Sequence, residues 1–62
     1  MSEEDRRRAQ EALHRLGYYS GPVSGAFGPL TRAAIRSFQQ NIGAQPTGHL
    51  SVGETDRLIG SR

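Results

Sequence analysis

The sequence predicts an all-α fold, an orthogonal three-helix bundle with a long ordered Gly-rich loop between helices 1 and 2. Three observations lead there. Apolar residues recur at helical spacing, with Ala9, Ala12, Leu13 and Leu16 in one stretch and Thr31, Ala34, Ile35, Phe38 and Ile42 in another; each set falls on one face of a 3.6-residue period. Glycines 17, 43 and 60 stand where the periodic runs stop, as left-handed helix ends require. No alternating strand pattern lasts beyond three residues, and no internal repeat or low-complexity run is apparent.

The first helix begins after Ser2, a favoured N-cap, with Asp5 three residues on in the manner of a capping box. Glu3, Glu4 and Asp5 complement the positive end of the helix dipole. Glu3 faces Arg7 and Glu4 faces Arg8 at i,i+4 with the acid on the N-terminal side, so Arg6-Arg7-Arg8 reads as a solvated, self-paired helix face; an anion-binding arm is the alternative. Gly17 to Gly28 holds four glycines and Pro22, which is turn chemistry. It also holds Tyr18, Tyr19 and Phe27, three of the four aromatic residues. That concentration predicts a loop whose side chains fold back on the core.

The second helix starts at Pro29, a residue suited to the first helical position because its missing N–H needs no partner there. Leu30 lies at the margin of the apolar face, and Arg32, Arg36 and Gln40 lie on the other side. Phe38 is expected in the centre of the core. Gln39, at the edge of the apolar face, either ties down the 43–48 loop or faces a ligand, and Thr31 is expected to bond back to the helix start. The third helix opens with Ser51-x-x-Glu54, a capping box, with Leu50 placed as a hydrophobic staple. Val52, Thr55, Leu58 and Ile59 form its expected buried face.

Composition narrows the function classes. Sixty-two residues make one small domain with little room for a nucleophile, a base and a substrate cleft. There is no cysteine, so neither a disulfide nor a Cys-rich zinc site is available. His14 and His49 belong to no metal-binding spacing and are expected to be solvent-exposed. No catalytic site, metal or cofactor is expected. A net charge of +2, carried entirely by arginine among the cations, is weak support for nucleic-acid binding. A helix-turn-helix reading also meets a connection of about a dozen residues where a tight turn is usual. The short third helix sets Arg57 against Glu54 and Asp56, a poor recognition helix. No apolar run has signal-peptide or membrane-span length. The chain is then either cytoplasmic or a domain cut from a longer exported protein.

The run LHRLGYYSGPVSGAFGPLTRAAIRSFQ, residues 13–39, resembles the signature of the peptidoglycan-binding domain family, small three-helix modules attached to many cell-wall lytic enzymes. Leu13, Leu16, Gly17, Tyr18, Gly21, Val23, Gly25, Phe27, Gly28, Thr31, Ala34, Ile35, Phe38 and Gln39 match at fixed spacing, followed by Gly43, Thr47 and Gly48. The resemblance covers roughly residues 9–59. Two positions depart: Ser24 stands where the family usually has Asp, and Asp56 where an apolar residue is common. A Ser hydroxyl still accepts a turn hydrogen bond but offers no carboxylate.

The resemblance implies a non-catalytic, monomeric module that holds a covalently attached protein, a wall hydrolase or transpeptidase, on peptidoglycan in the periplasm or extracellular wall, without nucleic acid or membrane as partner. Gly17, Ser24, Gly25, Phe27, Gly28, Thr31, Phe38 and Gln39 are its structural motif. Sugars stack on aromatic faces, and stem peptides offer amides and carboxylates suited to polar donors. Tyr19, Arg32, Gln40 and Asn41, which lack an evident core duty, are therefore the expected ligand-binding residues, on the second helix and the loop before it. The alternative keeps the fold but makes it a protein-interaction or regulatory module of an exported protein.

Overall fold

The computed structural model describes residues 1–60. Three helices run in the order α1 (Glu3–Arg15), α2 (Pro29–Asn41) and α3 (Val52–Ile59), and the described residues contain no strand. Ser2 caps α1 by accepting the Asp5 N–H at 3.1 Å. Helix α1 closes with the Gly17 N–H on the His14 carbonyl and the Tyr18 N–H on that of Leu13, with Gly17 left-handed at φ 88°; this is the paired closure of a Schellman motif. Helix α2 ends the same way at Gly43. The capping box of α3 is complete, with Ser51 and Glu54 bonding each other's backbone N–H groups.

Helix α1 packs against both α2 and α3. The core is Ala9, Ala12 and Leu13 from α1, Tyr19 from the connection, Ala34, Ile35 and Phe38 from α2, and Leu58 from α3, with Tyr18, Phe27, Ile42 and Leu50 packed against it. Tyr18 meets Phe38 edge to face, ring centroids 6.2 Å apart. Two expected core positions, Leu16 and Val52, are exposed, and so is Leu30 at the margin of the apolar face. Leu16 sits at the C-cap, where the chain leaves the helix. Val52 is the first residue of a helix only 8 residues long, whose one buried residue is Leu58. Thr31 is buried, but its hydroxyl accepts from the Gln10 side chain and does not bond back to the helix start.

The connections contain a repeat that the sequence reading misses. In the first turn the Gln10 carbonyl oxygen accepts the Gly25 N–H (2.8 Å), and its amide donates to the Ala26 carbonyl (2.9 Å) and to Thr31 Oγ1 (3.1 Å). In the second, Gln39 accepts the Gly48 N–H (3.0 Å), and donates to the His49 carbonyl (2.7 Å) and to Glu54 Oε1 (2.9 Å). Ser24 Oγ accepts the Ala26 N–H and Thr47 Oγ1 accepts the His49 N–H. Gly25 and Gly48 are both left-handed, at φ 86° and 83°. Each lies on the helix that carries its glutamine, Gly25 against Glu3 and Arg7 and Gly48 against Arg32 and Arg36. A helix with a buried glutamine followed by a Ser/Thr-Gly turn thus occurs twice. Ser24 does in its turn what Thr47 does in the other.

Candidate functional site

Helix α2 starts at Pro29 after Gly28, so Arg32 emerges from its first turn beside both repeated turns. Phe27 from the first turn and Gly48, His49 and Leu50 from the second border a groove of about 370 Å³. Arg6 and Met1, at the start of α1, complete it. Phe27 and Leu50 occupy equivalent places, each two residues after the left-handed glycine.

The polar lining is cationic or imidazole. Arg6 is fixed by its Nε–H on the Gly25 carbonyl (2.6 Å) and by Nη1 on the Met1 carbonyl (3.0 Å). Arg32 Nη1 lies 3.1 Å from His49 Nδ1. A guanidinium has donors and no acceptor. Nδ1 must therefore accept, which leaves the ring proton on Nε2. Among the described residues, no carboxylate lines this groove. Arg7 and Arg8, by contrast, pair with Glu3 (3.8 Å) and Glu4 (2.9 Å) on the exposed side of α1, as their spacing predicts. Both histidines are exposed.

Of the four residues expected to bind ligand, only Arg32 lines the groove. Tyr19 does have a core duty: it is buried, with its hydroxyl donating to the Pro22 carbonyl at 2.7 Å. Gln40 and Asn41 are exposed at the far end of α2, and Gln40, eight residues beyond Arg32, is about 12 Å further along the axis. The expected convergence of these four on one surface does not occur. Arg6 enters the sequence analysis only within the Arg6-Arg7-Arg8 cluster, whose alternative reading is an anion-binding arm, and His49 only as an exposed residue outside any metal-binding spacing. Arg6 differs from its two neighbours in one respect: its i−4 residue is Ser2, whereas Arg7 and Arg8 have Glu3 and Glu4 there. His49 becomes a site residue only because the Gln39 clamp holds its carbonyl.

Gln10 and Gln39 are fully buried and bonded inside the domain. Gln39 therefore holds the 47–49 segment and Glu54, the first of the two roles its sequence position allowed. Glu54 in turn has its carboxyl held below the ordinary 4.5, first by the Gln39 amide and then by the Ser51 backbone N–H.

The profile of the family described as "Putative peptidoglycan binding domain" matches residues 2–52. The chain belongs to this family. The match takes in α1, α2 and both repeated turns, and reaches the first residue of α3. Two curated relatives show the same stretch inside much longer proteins. The "Localization factor PodJL" of Caulobacter vibrioides is 42% identical over 50 residues, which is 81% of this chain and 5% of that protein. The "Putative OxPP cycle protein OpcA" of a Synechocystis strain is 49% identical over 41 residues, 66% of this chain and 9% of that protein. This domain thus spans a small fraction of either relative. No solved structure matches it significantly.

Proposed function

We propose that this domain is a non-catalytic module that binds peptidoglycan and retains an attached protein at the cell wall, in the periplasm or outside the cell. The observation that carries this reading is the family match over both helix-turn units, whose turns border the Arg32 groove. The domain's contribution is adhesion, and any wall chemistry belongs to the protein it is attached to. Purified domain should co-sediment with isolated sacculi and release no soluble muropeptides from them, while an unrelated domain of similar net charge stays in solution. Failure to sediment would overturn the reading. The likeness to a localisation factor favours one alternative, a protein-interaction module of the same fold. On that alternative the domain stays in the supernatant.

A further inference from the structure

We propose that the Arg32 groove takes a carboxylate of a peptide stem, with Arg32 as the clamp and His49 as the residue that positions it. The inference rests on the peptidoglycan-binding reading and names which part of the polymer is held. Glycan strands without peptide offer mainly hydroxyls and amides, which would call for mixed donors and acceptors and an open aromatic face. The groove offers something else. Its side-chain polar groups are Arg6, Arg32 and His49, with no carboxylate among them. Of the aromatic residues of the first connection, Tyr19 is buried with its hydroxyl engaged, Tyr18 packs on Phe38, and Phe27 alone borders the groove.

The two arginines are both restrained. Arg6 spends Nε and one Nη1 hydrogen on backbone carbonyls, and its remaining N–H groups are unassigned. Arg32 commits one Nη1 hydrogen to His49 Nδ1. A guanidinium has five N–H donors in a planar fork, so one edge of Arg32 stays available for a two-pronged contact with a carboxylate. Fixing the fork in advance reduces the ordering cost of binding. The tautomer set by Arg32 leaves His49 with a donor at Nε2, again suited to an anion. Phe27 and Leu50 supply the apolar border that a short aliphatic side chain beside the carboxylate would occupy.

The test is NMR titration of the isotope-labelled domain with three probes. These are a synthetic stem tetrapeptide with free carboxylates, the same peptide with its carboxylates converted to amides, and an N-acetylglucosamine oligomer. The free peptide should shift the Arg32 and His49 side-chain signals, and the amidated one should bind about tenfold to a hundredfold more weakly, the range expected for loss of a charged hydrogen bond. Arg32→Gln should abolish the preference for carboxylate. His49→Ala should weaken the free peptide while leaving the amidated one unchanged, which a purely structural role would not do. The exposed Gln40→Ala should match wild type. Equal binding of acid and amide, saturation by the glycan oligomer, or displacement of the peptide by an equal concentration of inorganic phosphate would each overturn the assignment. If sacculi still retain the domain in any of those cases, the wall-binding reading stands without it. If sacculi do not retain the domain, both fall.

Discussion

Gln10 and Gln39 are uncharged, polar and completely buried, a combination that is unfavourable unless each polar atom finds a partner. Both meet the condition, and no buried side-chain nitrogen or oxygen among the described residues is left unpaired. The amide suits this place because one group carries both an acceptor and two donors, so it binds the N–H on one side of a turn and the carbonyl on the other. Glu54 adds a titratable partner to the second clamp. Its carboxyl sits below its ordinary value because the ionised form accepts from Gln39 and from the Ser51 N–H, against a smaller opposing effect of burial. Its folded value is therefore lower than its unfolded one. The stability it adds is fully present above pH 4.5 and is lost as pH falls through the folded value. Urea midpoints measured from pH 7 to pH 3 should fall, and Glu54→Gln, which keeps an acceptor but cannot titrate, should fall less steeply. Parallel curves would show that the clamp does not depend on the charge.

At the scale of the element, the unit is a helix with its following turn. Gly25 and Gly17 share a left-handed backbone but differ in surroundings. A Cβ at Gly17 meets nothing within 4 Å, whereas one at Gly25 would lie 2.9 Å from Glu3 Cγ and 3.3 Å from Arg7 Cγ. Gly17→Ala should therefore cost only the conformational penalty, about 1–2 kcal/mol. Gly25→Ala should cost more, because the Glu3 and Arg7 side chains must also give way. Chemical denaturation of the two variants checks this, and equal losses would mean that the contact at Gly25 yields freely. The helix ends were legible beforehand because Ser2, Pro29, Ser51 and the glycines act locally. The repeat was not. Its two copies share only Gln, a Ser or Thr, and Gly, and the Gln-to-Gly separation is 15 residues in one and 9 in the other. Equivalence at that level is a matter of hydrogen bonds, which periodicity does not report.

For the whole molecule, the same distinction separates what was legible from what was not. Phe38, Ile35, Ala34 and Leu13 were placed correctly because burial follows helical period. Tyr19 joins the core as the aromatic-rich loop predicts, but not the ligand surface also expected of it, because nothing in its neighbours reveals that Pro22 satisfies its hydroxyl. Of the groove residues only Arg32 is among the expected ligand-binding set, since His49 is brought there by the second turn and Arg6 by the contact of α1 with Gly25. The core that supports all this is small: among the described residues it holds eight buried hydrophobic side chains, three of them alanine. A domain of this length is stable by only about 3–9 kcal/mol. Phe38 is its one buried phenylalanine, 5% exposed, on α2 with Tyr18 edge-on against it. Phe38→Ala should cost about 3–5 kcal/mol through lost burial and the cavity left behind, and a loss of that size consumes most of the available stability. The variant should be largely unfolded or show a sharply lowered Tm by circular dichroism. Leu30→Ala, at a position 68% exposed, should stay within about 0.5 kcal/mol of wild type. A Phe38→Ala melt within a few degrees of wild type would mean that the core closes over the gap, and that the two turns and their glutamines, rather than the apolar cluster, carry the fold.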